Sequence, residues 1–499
     1  MTSMSQQILD SLKYFQAETI LSITFCVVLL LSLFFKDSVK QKNVSAFASF
    51  LGILLAVDVA MSSSHGNGAT AFNNMYAVDS FSAFFKLIIG VSSLIIIGLS
   101  FQSEELNTKG RKLGEYYSLL VALTLGMFMM SSASNLLMMY LSLELSSISS
   151  YILAGYLREK EDSSEASLKY ILFGAAASGA MLYGISILYG LTGSLDVYGI
   201  QKVLASGSYN SITLLFSGIL IFVGFGYKIS AAPFHFWSPD VYQGSPITIT
   251  ALLAVASKAG GFAMMIRFFA VAFSRSTAEG FTSVIQGFDW QTIIAAVSVL
   301  TMTLGNLVAV WQNNMKRLLA YSSIAHAGYM LMAFTVMSNS GISAIMIYFI
   351  IYLFMNLGAF YVVMILAEKI GSEDVEDYKG LAYRSPLVCV MMALFLVSLT
   401  GLPPTAGFVG KLFIFSSVVS AKWYSLAVIG ALNSVVSLYY YVKVFRNMFL
   451  KQPEGDSFPI TLSVPQIVWL MLLGIPTLLF GLYFSPIVEF AQASVKLFQ

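Results

Sequence analysis

Four ionisable residues in this 499-residue sequence lie inside apolar runs where no surface role is open to them: Glu144, Lys228, Lys258 and Lys411. A charge in hydrocarbon costs several kcal/mol unless it faces a polar interior, finds a partner or changes its protonation. Burial drives lysine pKa values down and carboxyl values up, into the range where both groups load and release protons. One such residue would be a weak signal. Four in one chain, two of them beside helix breakers, point to proton transfer more than to structural pairing.

The breakers are specific. Lys228 follows Gly224 and Gly226 and precedes Pro233, and Lys411 follows Gly401-Leu402-Pro403-Pro404-Thr405-Ala406-Gly407. Interrupted helices at membrane depth free backbone polar groups to line a cavity. Glu144 is the expected modulator of a neighbouring lysine. Two histidines are candidate relays, because an unperturbed imidazole titrates near neutrality. His326 lies mid-run beside Ser322 and Ser323, while His235 lies near a run's end, where relay and plain core packing weigh equally. His65, in a Ser/Gly/Asn-rich loop, reads as solvated.

Other features exclude function classes. Cys26 and Cys389 are the only cysteines, both within apolar runs, too few for an iron–sulfur site and read as packing residues. No glycine-rich nucleotide fingerprint follows a strand, so no cofactor is expected in this chain. No His/Cys/carboxylate group has metal-ligand spacing. Lys86 and Arg267, nearer the run ends, are expected to snorkel to the headgroups. Asp58 should be wetted at its end of a span, and Met127-Phe128-Met129-Met130 should pack. The charges are dispersed through short loops, which argues against a nucleic-acid partner.

The elements that must position these residues are transmembrane helices. With 57% hydrophobic and 10% charged residues, the chain is far from soluble composition, where about a quarter is charged. Its apolar runs have the length of about 20 residues needed to cross a bilayer. The expected fold class is all-α, a polytopic membrane protein with about 14 spans, near residues 15–35, 44–61, 80–101, 116–131, 134–157, 168–192, 210–231, 246–273, 289–311, 318–337, 341–367, 386–420, 423–446 and 465–488. The run at 386–420 is read as one broken helix. The first run carries Glu18 and no small-residue cleavage pattern, so it reads as a span and not a signal peptide. Most of the 27 Lys and Arg residues fall in one set of alternate loops; the other set holds only Lys13, Lys202, Arg275, Lys422 and Lys496. The positive-inside rule then places both termini outside the cytoplasm.

The sequence also echoes itself. Glu144-Leu145-Ser146-Ser147-Ile148-Ser149-Ser150-Tyr151 resembles Tyr321-Ser322-Ser323-Ile324-Ala325-His326-Ala327-Gly328-Tyr329, and the lysine beside a break recurs five spans later. Five is odd, so the second unit lies upside down relative to the first. The expected domains are three N-terminal spans (1–110), a five-helix unit (111–275), its inverted copy (276–450) and a C-terminal span (451–499). Inverted repeats with matched breaks mark a transport site near the midplane.

Several stretches resemble the antiporter-like membrane subunits of respiratory complex I: Lys228 with Ala232-Pro233-Phe234-His235-Phe236-Trp237-Ser238-Pro239-Asp240-Val241-Tyr242, Lys258 with Gly260-Gly261, the Ser322–Tyr329 stretch, and Leu402-Pro403-Pro404-Thr405-Ala406-Gly407-Phe408. Lysine at 411, Tyr439-Tyr440-Tyr441-Val442-Lys443-Val444 and Asp377-Tyr378-Lys379-Gly380-Leu381 are most similar to the N-type subunits of NADH:quinone oxidoreductase in bacteria. The resemblance implies a proton channel of two half-channels in the bacterial inner membrane. In it Glu144 pairs with Lys228, Lys258 is the central carrier, His326 bridges Lys258 to Lys411, and Lys411 serves the exit. It implies NADH, FMN, iron–sulfur clusters and quinone in partner subunits, with other membrane-arm subunits, including paralogues, and lipids as neighbours. The large subunit of a multi-subunit Na⁺/H⁺ antiporter shares the same core and stays open as an alternative.

Overall fold

The computed structural model describes residues 4–35, 37–63, 68–108, 111–207, 209–277, 280–283, 289–452 and 459–495. His65, assigned above to solvent, lies outside them. The short helix α1 (Met4–Leu12) precedes three long ones, α2 (Gln16–Phe34), α3 (Ser38–Ser62) and α4 (Ser80–Ser100). An antiparallel hairpin, β1 (Ala69–Ala71) with β2 (Tyr76–Val78), joins α3 to α4. Next come α5 (Gly114–Ser132), α6 (Leu136–Ala154), α7 (Glu161–Thr192), α8 (Val197–Ala205), α9 (Ser211–Ile229) and α10 (Trp237–Gly244).

Helix α11 (Ile247–Leu252) then passes through a π-helical turn, Leu253–Ser257, into α12 (Lys258–Arg267) and a second π turn, Phe268–Ala272. A second hairpin, β3 (Ser274–Thr277) with β4 (Gly280–Ser283), leads on to the other half. That half comprises α13 (Trp290–Val310), α14 (Met315–Thr335), α15 (Asn339–Ile370), α16 (Leu381–Arg384), α17 (Pro386–Thr400), α18 (Ala406–Ser420) and α19 (Tyr424–Leu450). Helices α20 (Val464–Leu482) and α21 (Ser485–Ser494) follow.

Among the described residues, 11 helices are long and apolar enough to cross a membrane. Two expected spans, near 116–131 and 318–337, are long helices outside that set, α5 and α14, made more polar by residues such as Glu115, Lys316, Arg317 and His326. The expected broken span is two shorter apolar helices, α17 and α18. Its break turns on Gly401, at φ 88°, a conformation that favours glycine. In the first half α9 stops at Ile229, where Ser230 adopts φ 59° and the chain turns into α10. The π turn before Lys258 carries no glycine or proline and was not expected.

The two halves use the same local devices. Short polar side chains open the helices by accepting backbone N–H groups: Asn135 from Leu137 at α6, Asn314 from Arg317 at α14. Asn135 forms a β-bridge with Asp196, and Asn314 forms one with Asp374. Helices α7 and α15 both run 32 residues and end on left-handed glycines, Gly193 and Gly371. Burial sorts the bundle: residues 247–272 are wholly enclosed and α15 nearly so, while α2 and α20 are 28% buried and form the rim. On the side of the basic loops Asp240 on α10 ties the halves together, accepting from Lys169 on α7 and from Arg317 on α14, each at 2.6 Å.

Candidate functional site: a buried lysine line

Lys228 occupies the last turn of α9 and is 1% exposed. Its ammonium therefore sits where the helix dipole favours positive charge. Lys228 Nζ donates to Ser146 Oγ at 2.7 Å and Ser147 Oγ at 3.5 Å, both on α6. Glu144, on the same helix, points elsewhere. It is half-buried and lines a cavity of about 450 Å³ with Tyr140, Tyr151 and Ser178. Among the described residues Glu144 and Lys228 do not form an ion pair; the two serines, and not the carboxylate, hold the amine.

Lys258 opens α12 directly after the π turn, an irregularity often found at functional sites. Its amine donates to Ser323 on α14, to the carbonyl at 2.7 Å and to the hydroxyl at 2.6 Å. Tyr352 on α15 donates to the same hydroxyl at 2.9 Å, and Asn356 donates to Tyr352. These groups are buried, so each bond forms in a low-dielectric setting where partners matter most.

His326 lies one turn beyond Ser323 on α14. Its Nδ1 meets Tyr348 OH at 2.6 Å, and its Nε2 faces Tyr441 OH at 3.4 Å. Tyr441 in turn shares a 2.5 Å hydrogen bond with Ser322. The imidazole thus lies between two phenols and bonds to neither lysine directly. Tyr440, packed on Tyr441, donates to Asn306, which donates to Tyr329. The Tyr329 ring lies 4.6 Å beneath the Lys411 ammonium. Lys411 completes the line, donating to Thr400 O at 2.7 Å and Ser434 Oγ at 3.0 Å. Thr400 ends α17, so the helix break supplies the carbonyl. His235 is buried beside Phe236 and bonds to none of these groups.

The sequence missed the hydroxyls that hold the line together. Their signal was present in the repeated serine pairs Ser146-Ser147 and Ser322-Ser323, and in the i, i+4 row Tyr348, Tyr352, Asn356. Two other expectations are corrected. Lys86 and Arg267 do not snorkel; both are buried, at 4% and 0% exposure. Lys86 pairs with Glu18 at 2.7 Å and donates to Tyr76, and Arg267 grips Asp79 with two bonds, at 2.8 and 3.1 Å. Their partners come from the N-terminal helices and the joint before α4, which cover these positions and cut off the route to headgroups. Cys26 is exposed on α2 instead of packing inside, whereas Cys389 is buried. Among the described residues no group of three His, Cys, Asp or Glu is placed to hold a metal ion.

The profile of the NADH:quinone oxidoreductase/Mrp antiporter transmembrane family matches residues 133–437. The chain belongs to this family. It is 52% identical over 435 residues to NADH-quinone oxidoreductase subunit N 2 of Chloroherpeton thalassium, covering 85% of this chain and 83% of that one. It is 42% identical over 504 residues to subunit N of Chlorobium chlorochromatii, covering 99% and 97%. A chain of respiratory complex I from Thermus thermophilus superimposes with a TM-score of 0.78 at 31% identity, covering 95% of this chain and 98% of that one. A chain of the Mrp complex from a Dietzia species shares the fold at 19% identity, with a TM-score of 0.84 and 98% of each chain covered. These relatives place the chain on the subunit N branch of the family.

Proposed function

We propose that the chain is a proton-translocating membrane-arm subunit of a NADH:quinone oxidoreductase, and that Lys228, Lys258 and Lys411 carry the proton. Support comes from the side-chain hydroxyls and the one imidazole that lie between Lys258 and Lys411, each able to accept one proton and give up another. Lys258 is the central carrier, as enclosed as Lys228 and more so than Lys411, and it directly follows a π turn. Lys411 hands the proton toward the outer side. Glu144, off the line in its own cavity, acts on Lys228 through the field and not through a bond. His235 lies apart from the path and takes no part.

Electron transfer belongs to partner subunits holding NADH, FMN, iron–sulfur clusters and quinone. This chain responds to their work through shifts in helix position and charge. It sits in the bacterial inner membrane with both termini outside, among other membrane-arm subunits and lipid. The Na⁺/H⁺ antiporter reading is disfavoured because the relatives matched over most of the chain carry NADH-quinone oxidoreductase names.

Lys258→Ala in the assembled complex tests the proposal. Proton translocation should fall severely while assembly is retained, with quinone reduction followed in the same vesicles. Normal pumping by an assembled Lys258→Ala complex would leave the charges as assembly pairs only.

A further inference from the structure

The buried line needs a supply of protons from the aqueous phase, and one feature of the fold is built to give it. On the side of the basic loops a cavity of about 530 Å³ opens between the two halves, lined by Glu104, Glu105, Glu368 and Glu373 among others. Lys316 lies at its wall. By sequence Lys316 counted as one more loop charge, yet it is 3% exposed. Its Nζ pairs with Glu373 Oε1 at 2.9 Å and donates to Ser245 O at 3.3 Å.

Lys316 and Ser323 are seven residues apart on α14, so they share a face about 10 Å apart along the axis. Ser323 is the group that holds Lys258. Beside this interval run the hydroxyls of Ser238, Tyr242 and Ser245, on α10 and just after it, where α10 packs on α14. All three are fully buried, and none has a hydrogen-bond partner of good geometry among the described residues. The Tyr242 hydroxyl nonetheless lies close to those of Ser238 and Ser323. Buried hydroxyls are nearly always satisfied, and three without a well-formed bond in one place, two of them within reach of each other, mark a path for transient partners.

We infer that Lys316 is a proton-uptake residue that feeds Lys258, an inference that rests on the carrier role proposed above. The Lys316 ammonium gives one proton to a neighbouring hydroxyl, which releases its own proton inward; at the end of the chain the neutral amine of Lys258 takes one up. A protonated carboxyl at the cavity then returns a proton to the Lys316 amine and is recharged from water. One proton moves inward per cycle, and no co-reactant is consumed.

Arginine separates this role from a structural one, because it keeps the charge that Glu373 needs but does not deprotonate. The experiment compares Lys316→Arg, Lys316→Met and Lys258→Ala in membrane vesicles holding the whole complex. It measures protons translocated per NADH oxidised and the amount of complex assembled. Both Lys316 variants should assemble and lose proton translocation to the same extent as Lys258→Ala. Wild-type pumping by Lys316→Arg would overturn the inference. If Lys316→Arg does not assemble, Tyr242→Phe decides: it removes one hydroxyl and keeps the ring packing on Trp237 and Phe360, reduced pumping supports the route, and unchanged pumping ends it. Lys258→Ala distinguishes the failures. Normal pumping there defeats the carrier reading itself, whereas impaired pumping beside a normal Lys316→Arg defeats only the uptake route.

Discussion

Lys228 and Lys411 sit beside the breaks of the two inverted halves, and the structure solvates them by different means. Lys228 ends its own helix, so α9 presents its negative pole to the amine, and two serines from α6 supply the hydrogen bonds. Lys411 lies in the second turn of α18, near a positive pole that disfavours it. The compensation comes from the preceding half-helix, whose last residue, Thr400, turns its carbonyl to the ammonium. Each buried amine is thus served by a helix C-terminus, its own in one case and a neighbour's in the other. A cation in the first half depends on side chains, and its counterpart depends on the shape of the break.

That dependence predicts the larger penalty in the second half. Gly401 has φ 88°, and a Cβ placed there would lie 2.6 Å from Lys411 Cδ. Gly401→Ala should therefore cost about 1–2 kcal/mol in backbone strain alone and also displace Lys411. The expected outcome is a lower thermal inactivation midpoint for the detergent-solubilised complex together with weakened proton translocation. Ser230 already occupies the left-handed region at the first break, at φ 59°. Ser230→Gly should leave both measurements nearly unchanged, and equal penalties at the two sites would dissolve the distinction.

A smaller contrast separates the hydroxyl partners. Ser146→Ala removes the short bond to Lys228 and leaves only Ser147 at 3.5 Å; a cost of about 2 kcal/mol is expected, typical of a hydrogen bond to a charged group. Ser434→Ala leaves Lys411 its Thr400 carbonyl and should cost about 1 kcal/mol or less. Thermal inactivation of both variants measures the difference, and a larger loss at Ser434 would reverse the ordering.

The smallest effect concerns the tie between the halves at Asp240. Burial pulls its carboxyl pKa upward, but hydrogen bonds from Lys169 and Arg317 outweigh this and hold it below the usual carboxylate range. A depressed pKa means that the contribution to stability is complete above the unfolded value, about 3.9, and fades as pH falls through the lower folded value. The clamp on α10 should persist through mildly acidic conditions and loosen only below about pH 4. Hydrogen exchange of the α10 amides against pH reads this directly, and loosening near pH 6 would assign the clamp to another group.

The residues of the line were legible because a charge in an apolar run has few innocent explanations. Lys228, Lys258 and Lys411 are all buried at the expected breaks or beside a π turn, and His326 lies among the polar groups between the last two. What could not be read was partnership. Glu144 and Lys228 suggested a pair, yet rotation about α6 turns the serines to the amine and the carboxylate toward its own cavity. Arg267 and its partner Asp79 are 188 residues apart, and no local pattern links them.

The sequence by itself determined the helical membrane class, the repetition of its two halves and the burial of Lys228, Lys258 and Lys411. Those follow from run length, loop charge and the cost of charge in hydrocarbon, all of which act along the chain. Only the tertiary structure decided which oxygen holds which amine, because a hydrogen bond is settled within a few tenths of an ångström by packing between distant helices. It also decided that Lys316, a loop charge by sequence, lies buried against Glu373. The enclosure of the start of α14 by α10 and the segment after α15 put it there, and no stretch of residues around position 316 records that enclosure.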